Sequence, residues 1–147
     1  MGEQPRPSAA RPERIDRHQV YLSGDSTAVI VYDGDVSLAD AERLIAFMRR
    51  DDLDMRACII DVSRLGGVGA DVRRVIGTRS AKELLESGSG DLAIFVVNAD
   101  VVRRAVMTII STAGRLVSKR KLKTYFVDSL AEAERQALAH CEGRPLS

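Results

Sequence analysis

The sequence has no tryptophan, and three tyrosines with three phenylalanines bring its aromatic share to only 4%. Stacking platforms for nucleic-acid bases, which need aromatic side chains in number, are therefore not expected. Cysteine is almost as scarce: Cys58 and Cys141 stand without His or Cys at ligand spacing. That excludes a disulfide framework, a redox motif and a recognisable zinc site, so no metal and no cofactor is expected. An excess of either charge is missing too, since 22 Lys and Arg face 21 Asp and Glu for a formal net charge of +1. Such a balance exerts no general pull on nucleic acid or anionic lipid. The longest apolar runs, Ala28 to Tyr32 and Leu92 to Val97, fall far short of the roughly 20 residues that span a bilayer. The opening Met-Gly-Glu-Gln-Pro-Arg-Pro has no apolar stretch of a secretion signal. A cytoplasmic protein is expected, with no nucleic-acid partner and no integral membrane association.

What is present suits one globular domain. A hydrophobic fraction of 45% and a charged fraction of 29% over 147 residues match a compact chain large enough to bury one core. Three of the four prolines fall in the first dozen residues, among Arg, Glu and Ser with few apolar side chains. Residues 1–16 are read as a disordered tail, because that composition cannot offset the entropy of ordering. The domain is expected over 17–142, and 143–147 as a C-terminal tail.

Val20 to Leu22 and Ala28 to Tyr32 are separated by Ser23-Gly24-Asp25-Ser26, turn residues that predict an antiparallel hairpin. Ser37 precedes Asp40 by three, and Leu38, Ala41, Leu44, Ile45 and Met48 recur at helical spacing, which predicts a capped first helix up to Arg50. Ala57 to Val62 reads as a third strand, and after Leu65-Gly66-Gly67-Val68-Gly69 a second helix is expected from about Ala70 to Glu86. Leu92 to Val97 is apolar throughout, as a strand covered on both faces should be. Asn98 or Asp100 can cap a third helix to about Ser118, in which Val102, Ala105, Val106, Ile109, Ala113, Leu116 and Val117 form one stripe. Thr124 to Val127 is a fifth strand, and Asp128 or Ser129 caps a last helix. The sum is a single α/β domain whose mixed, mostly parallel sheet has about five strands and about four flanking helices.

Two segments carry a family resemblance. Val29-Ile30-Val31-Tyr32-Asp33-Gly34-Asp35-Val36-Ser37-Leu38 resembles the strand, turn glycine and acidic-hydrophobic pair of the STAS family of anti-sigma-factor antagonists. Ile59-Ile60-Asp61-Val62-Ser63-Arg64-Leu65 resembles the family's next strand, where an apolar run ends in Asp-x-Ser before a functional loop. The element order is similar from about residue 18 to 140, and Tyr125-Phe126-Val127-Asp128-Ser129 is closer to the SpoIIAA-like branch that includes STAS/SEC14-type domains. The resemblance implies a regulatory module that binds a protein, an anti-sigma factor or a kinase-like regulator, and performs no catalysis. Where the family carries a phosphorylated serine in Asp-Ser-Ser-Gly or Asp-Ser-Gly, this chain has Gly69, Ala70, Asp71 and Val72. Asp71 could supply a fixed charge in place of a regulated phosphate. The simpler reading, which is preferred, makes it an acid in the first turn of a helix.

The implied partner-binding residues are Asp33, Gly34, Asp35, Ser63, Arg64, Gly67, Gly69, Asp71, Arg73 and Arg74. Other constellations have plainer readings. The glycine-rich segment lacks the Gly-Lys-Ser/Thr ending of a phosphate loop and the placement of a dinucleotide fingerprint, so its glycines are read as shaping a turn. Arg115, Lys119, Arg120, Lys121 and Lys123 form the one dense basic cluster, as the last turn of a helix commonly does. His18 and His140 lie near opposite ends of the domain without a nucleophile motif. The competing function is a carrier of a small apolar ligand or lipid held under the third helix, lined by Val102, Val106, Met107, Ile109 and Ile110. Exposed apolar residues there would equally serve a homo-oligomer.

Overall fold

The computed structural model describes residues 6–80, 82, 90–117 and 120–144. Its sheet has six strands: β1 Glu13–Ile15, β2 His18–Leu22, β3 Thr27–Val36, β4 Ala57–Val68, β5 Leu92–Val97 and β6 Leu122–Val127. They lie side by side in chain order. The first three are antiparallel neighbours, and β3 to β6 run parallel. The helices are α1 Leu38–Met48, the short α2 Ala70–Arg74 that passes into a π-helical segment Val75–Ser80, α3 Val101–Val117 and α4 Leu130–Cys141.

Stepping one strand at a time in one direction, each right-handed crossover must fall on the same side of the sheet. One core accordingly joins Ala41, Leu44 and Phe47 of α1, Val72 of α2 and Met107 of α3 to Ile30, Cys58, Ile60 and Val96. The second core lies on the opposite face, where Ala133 and Ala137 of α4 cover Val29, Ile59, Phe95 and Val97. Adjacent residues such as Ile59 and Ile60 serve opposite cores because a strand's side chains alternate. Cys58 is buried in the first core as expected. The caps follow the sequence as well: Ser37 and Asp40 form a capping box on α1, and Ser129 caps α4.

Four expectations need correction. Residues 6–16 are not a free tail: Ile15 is buried, β1 pairs with β2, and the Leu22 amide donates to the Pro7 carbonyl at 3.0 Å. Asp16 takes φ 57°, closing the tight link between β1 and β2. Two buried apolar residues, Pro7 and Ile15, are too weak a compositional signal, and the ladder's backbone bonds supply the rest; the sixth strand is the result. Next, β3 does not turn at Gly34 but runs on to Val36, and β4 continues through Gly66 and Gly67 to Val68. The second helix, expected to Glu86, is α-helical only to Arg74 and π-helical to Ser80; most of its remainder lies outside the described residues. Finally, α3 turns its expected inner stripe outward. Val102 is 71% exposed, Ile109 55% and Leu116 82%, whereas Met107 is buried.

Candidate functional site

The ladder between β4 and β5 stops at Asp61 opposite Val97, but β3 and β4 stay paired to Val36 opposite Val68 through two register shifts. Residues 62–68 therefore overhang the sheet as one side of a bulged two-stranded ribbon. An overhang exposes backbone donors and acceptors, which invite pairing with another strand unless something satisfies them. Side chains take four of these groups here. The Ser63 amide donates to Asp61 Oδ1 at 3.0 Å and the Gly67 amide to Asp35 Oδ1 at 2.7 Å. Arg103 of α3 donates from Nε and Nη2 to the Leu65 carbonyl at 3.1 and 2.9 Å, and Asp100 holds its third nitrogen at 2.7 Å. Arg73 Nη1 donates to the Val68 carbonyl at 2.8 Å.

Two glycines make the bulge passable. Gly34 has φ +88°, a conformation side chains resist. A Cβ on Gly66 would stand 2.8 Å from the Gly34 carbonyl carbon and 2.9 Å from the Asp35 nitrogen, closer than backbone tolerates. Beneath the bulge sits His18, fully buried. Its Nδ1 accepts from the Asp33 amide at 2.9 Å, so Nε2 carries the proton in the neutral ring. Nε2 donates to the Asp35 carbonyl at 3.1 Å, with Asp40 Oδ2 at 3.4 Å. Tyr32 meets the ring edge-on at 5.3 Å between centroids.

The ribbon's outer side carries both signs. Asp33 stands between Arg17 at 3.3 Å and Arg64 at 3.7 Å, while Ser63, Arg64 and Asp35 are exposed. Of the ten residues expected at the site, Asp33, Gly34, Asp35, Ser63, Arg64 and Gly67 share this ribbon. Gly69, Asp71, Arg73 and Arg74 follow directly at the start of α2. Asp71, in the first turn of α2, accepts on Oδ1 from the Val72 amide at 2.9 Å. Sequence reasoning missed the part that His18 and Arg103 play in the ribbon's shape, and it named Asp61 only within a motif and Asp40 only beside a helix cap. Alternation in β2 puts His18 on the face of Val20 and Leu22, a signal that could have found it.

A second feature lies between the sheet and the helices α1 and α3: an apolar cavity of about 80 Å³, lined among others by Tyr32, Cys58, Ile60, Met107, Ile110 and Ser111. Of the five α3 residues expected to line such a space, only Met107 and Ile110 do. Burial pushes the Cys58 thiol up to about 12 and raises the Tyr32 phenol, so both are neutral near pH 7. In the basic cluster, Arg120 is a structural tie, donating to the carbonyls of Gly90 at 2.7 Å and Met55 at 2.9 Å. Tyr125 stacks on Phe95 and Phe126 lies under Arg104, so both rings are engaged within the fold. His140 Nε2 contacts the Asp91 carbonyl at 3.0 Å, away from His18. Among the described residues no group of three or more His, Cys, Asp or Glu could hold a metal ion, and no helix is long and apolar enough to cross a membrane.

No family model matches the chain, and no curated protein does. Among solved structures it is similar to the anti-sigma factor antagonist SpoIIAA in its unphosphorylated form, with a TM-score of 0.49 and 17% identity over 86% of this chain and 98% of that one.

Proposed function

We propose that the chain is a regulatory module that binds a protein partner through the β3–β4 ribbon and the first turn of α2, and that it does so without chemistry of its own. The carrying observation is the ribbon itself: four of its backbone groups are held by Asp35, Asp61, Arg73 and Arg103, with exposed side chains of both signs on that frame. A surface held this way loses little conformational freedom on docking, and its side chains, not strand addition, select the partner. The sequence resemblance favours an anti-sigma factor or a kinase-like regulator as that partner. Two free cysteines suit the reducing cytoplasm.

Site-specific photo-crosslinking in the native host tests the reading. A crosslinker at position 64 or 71 is expected to capture one defined protein, whereas the same group at Glu134 on α4 captures none. Equal capture at all three positions, or none at 64 and 71, contradicts it.

A further inference from the structure

We infer that the cavity between the sheet, α1 and α3 is a binding site for a small uncharged molecule with an apolar body and one hydrogen-bond acceptor, to which the Tyr32 hydroxyl donates. The inference is independent of the docking face. Its first support is the lining: Ile60, Met107 and Ile110 with other aliphatic side chains enclose about 80 Å³. One water takes roughly 10–15 Å³ by the same measure, so the space is several waters large yet too apolar to hold them well. Its second support is Tyr32. The side chain is 6% exposed and lines the cavity, and among the described residues its hydroxyl takes part in no hydrogen bond. A donor that faces an apolar space without a protein acceptor is one that an incoming oxygen can satisfy. Ser111, the other hydroxyl in the lining, is already bonded to Thr124 Oγ1 at 2.9 Å.

The neighbouring groups set the ligand's charge. Cys58 and Tyr32 are both neutral there, and among the described residues no Lys, Arg, Asp or Glu lines the space, so a charged ligand would lose its hydration with nothing in return from them. Short-chain ketones, esters and cyclic ethers have the required chemistry.

The methionines provide the readout. Met48 and Met107 line the cavity, whereas Met55 is buried outside it. Titrating full-length protein, labelled with 13C at the methionine methyls, with cyclohexanone should shift the Met48 and Met107 signals saturably and leave Met55 in place. Tyr32→Phe should weaken cyclohexanone about tenfold, the worth of one buried neutral hydrogen bond. Benzene, which has no acceptor oxygen, should bind that variant as it binds the parent. Ala41→Leu, which fills the space, should abolish both titrations. Unmoved Met48 and Met107 signals, shifts shared equally with Met55, or equal loss of both probes in Tyr32→Phe would each overturn the assignment.

Discussion

His18 shows how one side chain can set the geometry of a surface it never reaches. Buried to the last atom, it takes the Asp33 amide on one nitrogen and gives a proton to the Asp35 carbonyl from the other. Both bonds fall on the bulge that presents Asp33 and Asp35. Replacing it with leucine keeps the volume but takes the ring's bonds from the Asp33 amide and the Asp35 carbonyl, and removes the neighbour of Asp40. His18→Leu should cost about 3 kcal/mol in a urea melt, in the range of buried polar losses. Cys58 gives a second test at this scale. Its thiol ionises near 12 when folded and near 9.0 when free. A folded-state value raised in this way gives stability that is complete below the free value and is lost as pH climbs toward the folded one. Stability should therefore fall by up to about 1.4 kcal/mol per pH unit above pH 9, the slope of one proton. Cys58→Ala should flatten that fall, and a thiol reagent at pH 8 should titrate Cys141 alone in the native protein.

At the scale of elements, strand and helix positions were legible wherever apolar spacing was regular. The hairpin, α1 with its Ser37 cap, β5 and α4 all lie where periodicity put them. The rotation of α3 was not legible, because that helix has two apolar faces. The larger one, with Val102, Ile109 and Leu116, faces out. The smaller one, with Met107 and Ile110, faces in. What turns the helix is polar: Arg103 reaches the Leu65 carbonyl and Ser111 bonds Thr124, and a count of hydrophobic residues gives neither any weight. Met107→Ala should cost about 2–4 kcal/mol by chemical denaturation, as a buried truncation does. Val102→Asp should stay within about 0.5 kcal/mol, as exposed substitutions do. The reverse order would mean that the larger stripe is the inner one.

Over the whole molecule, in-order parallel strands collect three crossovers on one face and leave the carboxyl ends of β3 and β4 projecting at one end. The acidic pair at Asp33 and Asp35 and the Asp-x-Ser of Asp61 to Ser63 were readable as a candidate site. That they belong to one continuous ribbon was not, since Gly66 and Gly67 read as a turn until Gly34 and Asp35 were seen packed against them. Short-range pattern marks residues; long-range pairing decides which of them meet. The docking face is best tested by calorimetric titration of the crosslinked partner, once purified, against the parent chain, Arg64→Glu and Arg135→Glu. At least a tenfold loss for Arg64→Glu with Arg135→Glu within about twofold is expected, given what a desolvated charge reversal costs at an interface. Affinities that are equal for all three would contradict the ribbon as the site of contact.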